Sequence, residues 1–128
     1  MQKRGQISVE FIMLFGMMFF VFILVLGAVI YYSQIKMRES SYIALEDLAY
    51  KIKGEVELAS EVNDGYQRTF TIPSEINFKE YNLSVTNFEL TIKLDEFEFS
   101  LFLPEYNGNL QKGANIIKKQ GGDVYINT

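Results

Sequence analysis

The sequence predicts an α+β chain: a long N-terminal α-helix, membrane-spanning in its first half and amphipathic in its second, packed against a small antiparallel β-sheet head. Three observations carry that reading. From Phe11 to Tyr32 there are 22 consecutive residues without a charge, an Asn or a Gln, as long as the roughly 20 residues a helix needs to cross a bilayer core of about 30 Å. Apolar residues then recur at spacings of three and four from Tyr42 to Ala59, one stripe of an amphipathic helix. Beyond Tyr66 the apolar period falls from about 3.6 to 2, the period of strands.

Composition narrows the function. The chain has 128 residues, 48% of them hydrophobic, with no Cys and no His. That is enough for one small domain of ordinary globular composition. Without Cys or His, thiol nucleophiles, disulfides, soft-metal sites and His-based proton relays are absent. A net charge of -4, with Lys and Arg scattered among carboxylates, argues against nucleic acid as a partner, since phosphate contacts need clustered cations. The acidic clusters Asp95-Glu96-Glu98, Glu46-Asp47 and Glu55-Glu57 read as solvated faces and turns, with nothing to place a general acid opposite them. No phosphate loop and no EF-hand spacing is present, so neither an enzyme nor a cofactor is expected, and no metal site.

The elements follow in order. The apolar run is too long for the roughly 7–15-residue core of a secretory signal peptide, and it ends in Tyr31-Tyr32-Ser33 instead of a small-x-small cleavage site. Two Tyr at its end, followed by Lys36 and Arg38, fit an aromatic interface belt. Residues 33–62 contain no Pro and one Gly, Gly54, so the helix continues. Tyr42, Leu45, Ala49, Ile52, Val56 and Ala59 form its apolar stripe, with Glu46, Lys51, Lys53, Glu55 and Glu57 off the stripe as solvated residues. A helix from Phe11 to Val62 is 52 residues, roughly 78 Å at 1.5 Å per residue. Asn63-Asp64-Gly65 then supplies the stop, with Gly free to take the left-handed cap.

In the head, Phe70 and Ile72 alternate in a first strand that Pro73 ends. Leu83 and Val85 alternate next, then Phe88, Leu90, Ile92 and Leu94, then Phe97, Phe99, Leu101 and Leu103. The parity of the inward set changes at Thr86-Asn87 and at Asp95-Glu96, so residues 81–103 read as an antiparallel meander with tight turns there. Pro104 and Asn107-Gly108-Asn109 close it. Ile116-Ile117 and Val124-Tyr125-Ile126, separated by Gly121-Gly122-Asp123, predict a last hairpin.

The stretch Lys3-Arg4-Gly5-Gln6-Ile7-Ser8-Val9-Glu10-Phe11-Ile12-Met13-Leu14 carries the functional signal. It resembles the class III signal peptide of archaeal type IV pilins, whose processing site reads Q-x-S-x-E-x-x-x-L. Gln6, Ser8, Glu10 and Leu14 fill the four specified positions, and the basic leader Lys3 and Arg4 with the small Gly5 precede the cut. The resemblance implies a prepilin cut between Gly5 and Gln6 by a prepilin peptidase. It divides the chain into a cleaved leader 1–5, a hydrophobic transmembrane and filament-core helix 6–32, an amphipathic continuation 33–62 and a β-rich head 63–128. It further implies a precursor anchored in the cytoplasmic membrane with its head outside, then a mature subunit in a homopolymeric surface filament, an adhesive pilus built with the assembly machinery. Loss of Lys3 and Arg4 takes the formal charge from -4 to -6.

Two readings of Glu10 stand side by side. It is either an interfacial charge at the start of a spanning helix, which is tolerated there, or, as the resemblance implies, the carboxylate of an assembly salt bridge with the amino terminus of a neighbouring subunit. A carboxylate buried among packed apolar helices costs several kcal/mol unless it is paired. Asn82-Leu83-Ser84 is the one N-glycosylation sequon, and with Leu83 and Val85 inward Asn82 points outward. A glycan there fits the family's commonly glycosylated surfaces. The alternatives to a major pilin are a bitopic, membrane-anchored extracellular binding module that never polymerises and a minor, pseudopilin-like subunit.

Overall fold

The computed structural model describes the backbone of residues 2–128 and side chains from Ile7 onward. One helix, α1, runs Gln2–Glu61. Nine strands follow: β1 Gln67–Ile72, β2 Glu75–Ile76, β3 Lys79–Glu80, β4 Asn82–Thr86, β5 Glu89–Leu94, β6 Phe97–Phe102, β7 Asn107–Gly108, β8 Gly113–Gln120 and β9 Asp123–Ile126. The α+β arrangement of a long N-terminal helix and small antiparallel sheets is the one expected. Two compact units make up the chain, Met1–Glu39 and Ser40–Thr128.

In the second unit the helix lays its stripe on the strands. Leu45, Ala49, Ile52, Val56 and Ala59 are all buried, joined by Leu48. They share one apolar cluster with Ile72, Leu90, Ile92, Leu94, Ile117 and Ile126. Tyr42, expected on the stripe, is exposed instead; it and Tyr50 flank the buried set and meet Phe97 and Phe99 at ring-centroid distances of 6.1 and 5.8 Å, within the range of favourable aromatic pairs.

The helix ends where Asn63-Asp64-Gly65 requires. Gly65 takes φ +96°, its N–H donates to the Lys119 carbonyl at 3.0 Å, and the Asp64 carboxylate accepts from the Gly122 N–H at 2.9 Å. No basic residue lies in the last helical turn. Lys119 of β8 supplies the missing cation, its Nζ donating to the Ser60 carbonyl at 2.5 Å, where the helix dipole leaves carbonyls unpaired.

The strands divide into three sheets: a four-stranded sheet ordered β1-β8-β9-β7, the two-stranded β2-β3 hairpin and the β4-β5-β6 meander. The meander pairs Leu83 with Ile92 and Ile92 with Phe99. Its turns are Asn87-Phe88 and Asp95-Glu96, so Phe88 leaves the expected inward set for a turn position. Both residues of the first turn have positive φ, 51° and 63°, as a two-residue turn matching strand twist requires. Asn77-Phe78 closes β2-β3 in the same way, with φ 49° and 62°.

Three further differences from the sequence reading have physical causes. The single expected sheet is three, and the β2-β3 hairpin went unexpected because its strands are two residues each, too short to show a period. Asn107-Gly108 is a strand, not only a turn, and pairs parallel with β9. Gly is required there: a Cβ on Gly108 would sit 1.9 Å from the Ile126 carbonyl oxygen. Glu55 is not solvated. Its side chain is 12% exposed and lies 3.4 Å from the Arg68 guanidinium of β1, while its Oε2 is buried without a protein partner among the described residues.

Candidate functional site

The N-terminal unit is a helix with nothing of its own to pack on. Seventeen Val, Leu, Ile, Phe and Met side chains between Phe11 and Ile30 are exposed, each by about half or more. Full burial of such side chains stabilises by about 1.5–3 kcal/mol each. Together they offer roughly 25–50 kcal/mol, well beyond the 5–15 kcal/mol net stability of a typical domain. This helix is long and apolar enough to cross a membrane, and apolar surroundings are what its surface demands.

The residues that resemble a processing motif fall at the head of that surface. Glu10 and Leu14 are four positions apart along α1 and so share a face, whereas Ser8 lies two positions from Glu10, on another. Ser8, Glu10 and Leu14 are exposed. Among the described residues no ammonium or guanidinium pairs with Glu10. The side chains of Lys3, Arg4 and Gln6, and any structural detail of Gly5 beyond its helical backbone, lie outside the described residues. At the other end of the apolar run, the Lys36 ammonium stands 5.8 Å from the Tyr32 ring centroid and 3.6 Å from the Glu39 carboxylate, a polar collar following the two Tyr.

In the head, Asn82 opens β4 with Asn82 and Ser84 exposed and Leu83 partly buried, so both polar residues of the sequon face the same accessible side. Sequence periodicity missed the one buried polar residue among those described, Asn115. Its Oδ1 accepts from the Gln111 N–H at 3.0 Å and from Asn127 Nδ2 at 2.8 Å. Its Nδ2 donates to the carbonyls of Gln111 at 2.7 Å and Gly113 at 3.0 Å. The signal was the inward parity shared with Ile117, two residues on. A second lock is Tyr81, whose hydroxyl donates to the Pro73 carbonyl. Lys112 donates to the Tyr81 carbonyl, and its ammonium stands 4.2 Å from the Tyr81 ring centroid. Burial pushes the Tyr81 hydroxyl up to about 12.

The head also holds a cavity of about 350 Å³, lined by Val85, Asn87, Phe88, Tyr106, Gly108, Asn109 and Leu110. Phe88 and Tyr106 meet edge to face at 5.9 Å, and burial pushes the Tyr106 hydroxyl up from its ordinary value. No resemblance or motif had pointed to it, because its residues come from one hairpin turn and the segment around β7.

Comparison of the chain with protein-family models, with curated proteins and with solved structures finds no match.

Proposed function

We propose that this chain is the structural subunit of an archaeal type IV pilus-like surface filament, made as a prepilin and cut between Gly5 and Gln6. One observation carries the reading: Gln6, Ser8, Glu10 and Leu14 fill the processing motif directly ahead of an exposed apolar helix surface. A lipid bilayer satisfies that surface before assembly. After the cut, the same surface packs against copies of itself and supplies the cohesion of the filament core, with the head outside. The new amino group at Gln6 pairs with Glu10 of a neighbour and fixes the subunit register. The partners on this reading are a prepilin peptidase, other subunits and the assembly machinery, and Asn82 carries a glycan on the outer face.

The separate compactness of Ser40–Thr128 equally suits a bitopic anchor that displays a binding head and never polymerises, and Glu10→Gln separates the two. In an anchor, water solvates position 10 and the substitution leaves abundance and head exposure unchanged. In a filament, removing one member of a buried ion pair costs about 3–5 kcal/mol per subunit, more than a hundredfold in each subunit addition, so polymerisation slows or stops. Because Glu10 belongs to the processing motif, the N-terminus of the variant is sequenced alongside. A variant cut at Gln6 that assembles at the normal rate would overturn the charge pairing.

A further inference from the structure

We infer that the cavity between the Asn87-Phe88 turn and the β7 segment is a binding site for a neutral saccharide ring. The inference uses the head alone and stands whether or not the chain polymerises. Its volume, about 350 Å³, lies at the small end of the roughly 300–1,000 Å³ of small-molecule pockets, which suits one or two rings.

The lining decides the ligand class. None of its seven residues carries a charge, so neither a phosphate or carboxylate nor a cation finds a counter-ion. What it offers is two carboxamides, Asn87 and Asn109, and two aromatic rings, Phe88 and Tyr106. An Asn side chain both donates and accepts, as a Tyr hydroxyl does, which matches vicinal hydroxyls. Neither carboxamide has a hydrogen-bond partner among the described residues, so both are available. The Tyr106 hydroxyl, held above its ordinary value by burial, stays a neutral donor throughout the physiological range. Phe88 and Tyr106 are set edge to face, and the accessible lining around them is mainly polar. The hydroxyl rim of a pyranose finds in such a lining the donors and acceptors it needs.

The backbone around the site is fixed by hydrogen bonds. Asn87, Phe88 and Gly108 all have positive φ, 51°, 63° and 109°. The Phe88 carbonyl is held by the Leu103 N–H at 2.7 Å, and its ring by Tyr106. The Asn109 carbonyl is held by Asn127 Nδ2 at 2.8 Å, which leaves the Asn109 side chain free while its backbone is fixed.

The test is a neutral-glycan array and NMR titration with free glucose, galactose, mannose and N-acetylglucosamine. It uses the full chain in a zwitterionic detergent, since glycoside detergents would compete. Weak binding, about millimolar for a monosaccharide, is expected, with shifts at Phe88 and Tyr106. The double variant Asn87→Gly, Asn109→Ala keeps the positive-φ turn and the ring pair. It should weaken binding about tenfold or more, the factor corresponding to 1.4 kcal/mol, at unchanged thermal stability. Asn77→Gly, the same change in the other Asn-Phe turn, should leave binding intact. No saccharide binding, an equal loss in Asn77→Gly, no loss in the double variant, or preference for anionic glycans would each overturn the proposal. Should binding occur, comparing glycans cleaved from this protein with those of foreign surfaces separates a neighbouring copy from an external receptor as the source.

Discussion

Replacing Asn115 by Leu keeps the number and branching of the side-chain heavy atoms, in a somewhat larger side chain, and removes its amide from the core. The change strips four hydrogen bonds at once: one from the Gln111 N–H, one to the Gln111 carbonyl, one to the Gly113 carbonyl and one from Asn127 Nδ2. A buried polar group left without a partner costs about 1–3 kcal/mol. Gln111 and Asn127 are exposed and regain water, and Leu gains some apolar burial, so the net loss should be about 2–4 kcal/mol. For a unit the size of Ser40–Thr128, each kcal/mol lowers Tm by roughly 4–8 °C. A fall of roughly 10–25 °C should follow in the near-ultraviolet Tyr signal of the detergent-solubilised chain. Asn115→Asp keeps the acceptor but turns a carboxylate oxygen toward the carbonyls of Gln111 and Gly113. Burial and those carbonyls raise its pKa in the folded state, so the Asp variant should be most stable at low pH and lose stability as pH rises through that pKa. Gln120→Ala, exposed on the same strand, is the control. A Leu variant that melts with the control would refute the view that this amide organises the β7 to β9 region.

Two more outcomes follow from the core and from Tyr81. Ile52 is 1% exposed, so Ile52→Asp should cost roughly 3 kcal/mol or more, whereas Lys53→Asp one position on should cost little; equal melting temperatures would rule out this helix face as the core. Tyr81 has its folded pKa raised from 10.0 to about 12, so its contribution is fully present below pH 10 and is lost as pH rises to about 12. Tyr81→Phe should lack that loss, read by alkaline unfolding against phenolate absorbance.

Much of the fold is legible in the sequence because its pieces are locally periodic. The stripe Leu45 to Ala59 has the spacing of a helix face, and each of its members from Leu45 on is buried. The meander was visible through two parity changes, one of which marks its turn directly. What the sequence hid is non-local. β7 gains its strand character only by lying parallel to β9, and Glu55 is covered only because β1 brings Arg68 over it. Asn115 reads as a loop residue until the carbonyls of Gln111 and Gly113 surround it. Phe88 fell outside its expected place because a left-handed Phe is rare enough that alternation naturally assigns it to a strand. Of the two candidate sites, the stretch that resembles a processing site is contiguous in sequence, whereas the cavity is assembled from residues about twenty positions apart and leaves no pattern.

The filament reading is tested most directly by recovering the chain from cells that make it, fractionating by sedimentation, and sequencing the N-terminus in each fraction. A filament subunit should start at Gln6 in the material that pellets after membranes have been removed by detergent, with Met1-initiated precursor confined to the membrane fraction. A chain that keeps Met1 throughout and enters the detergent-soluble fraction entirely would contradict it, leaving an anchored head as what this sequence encodes.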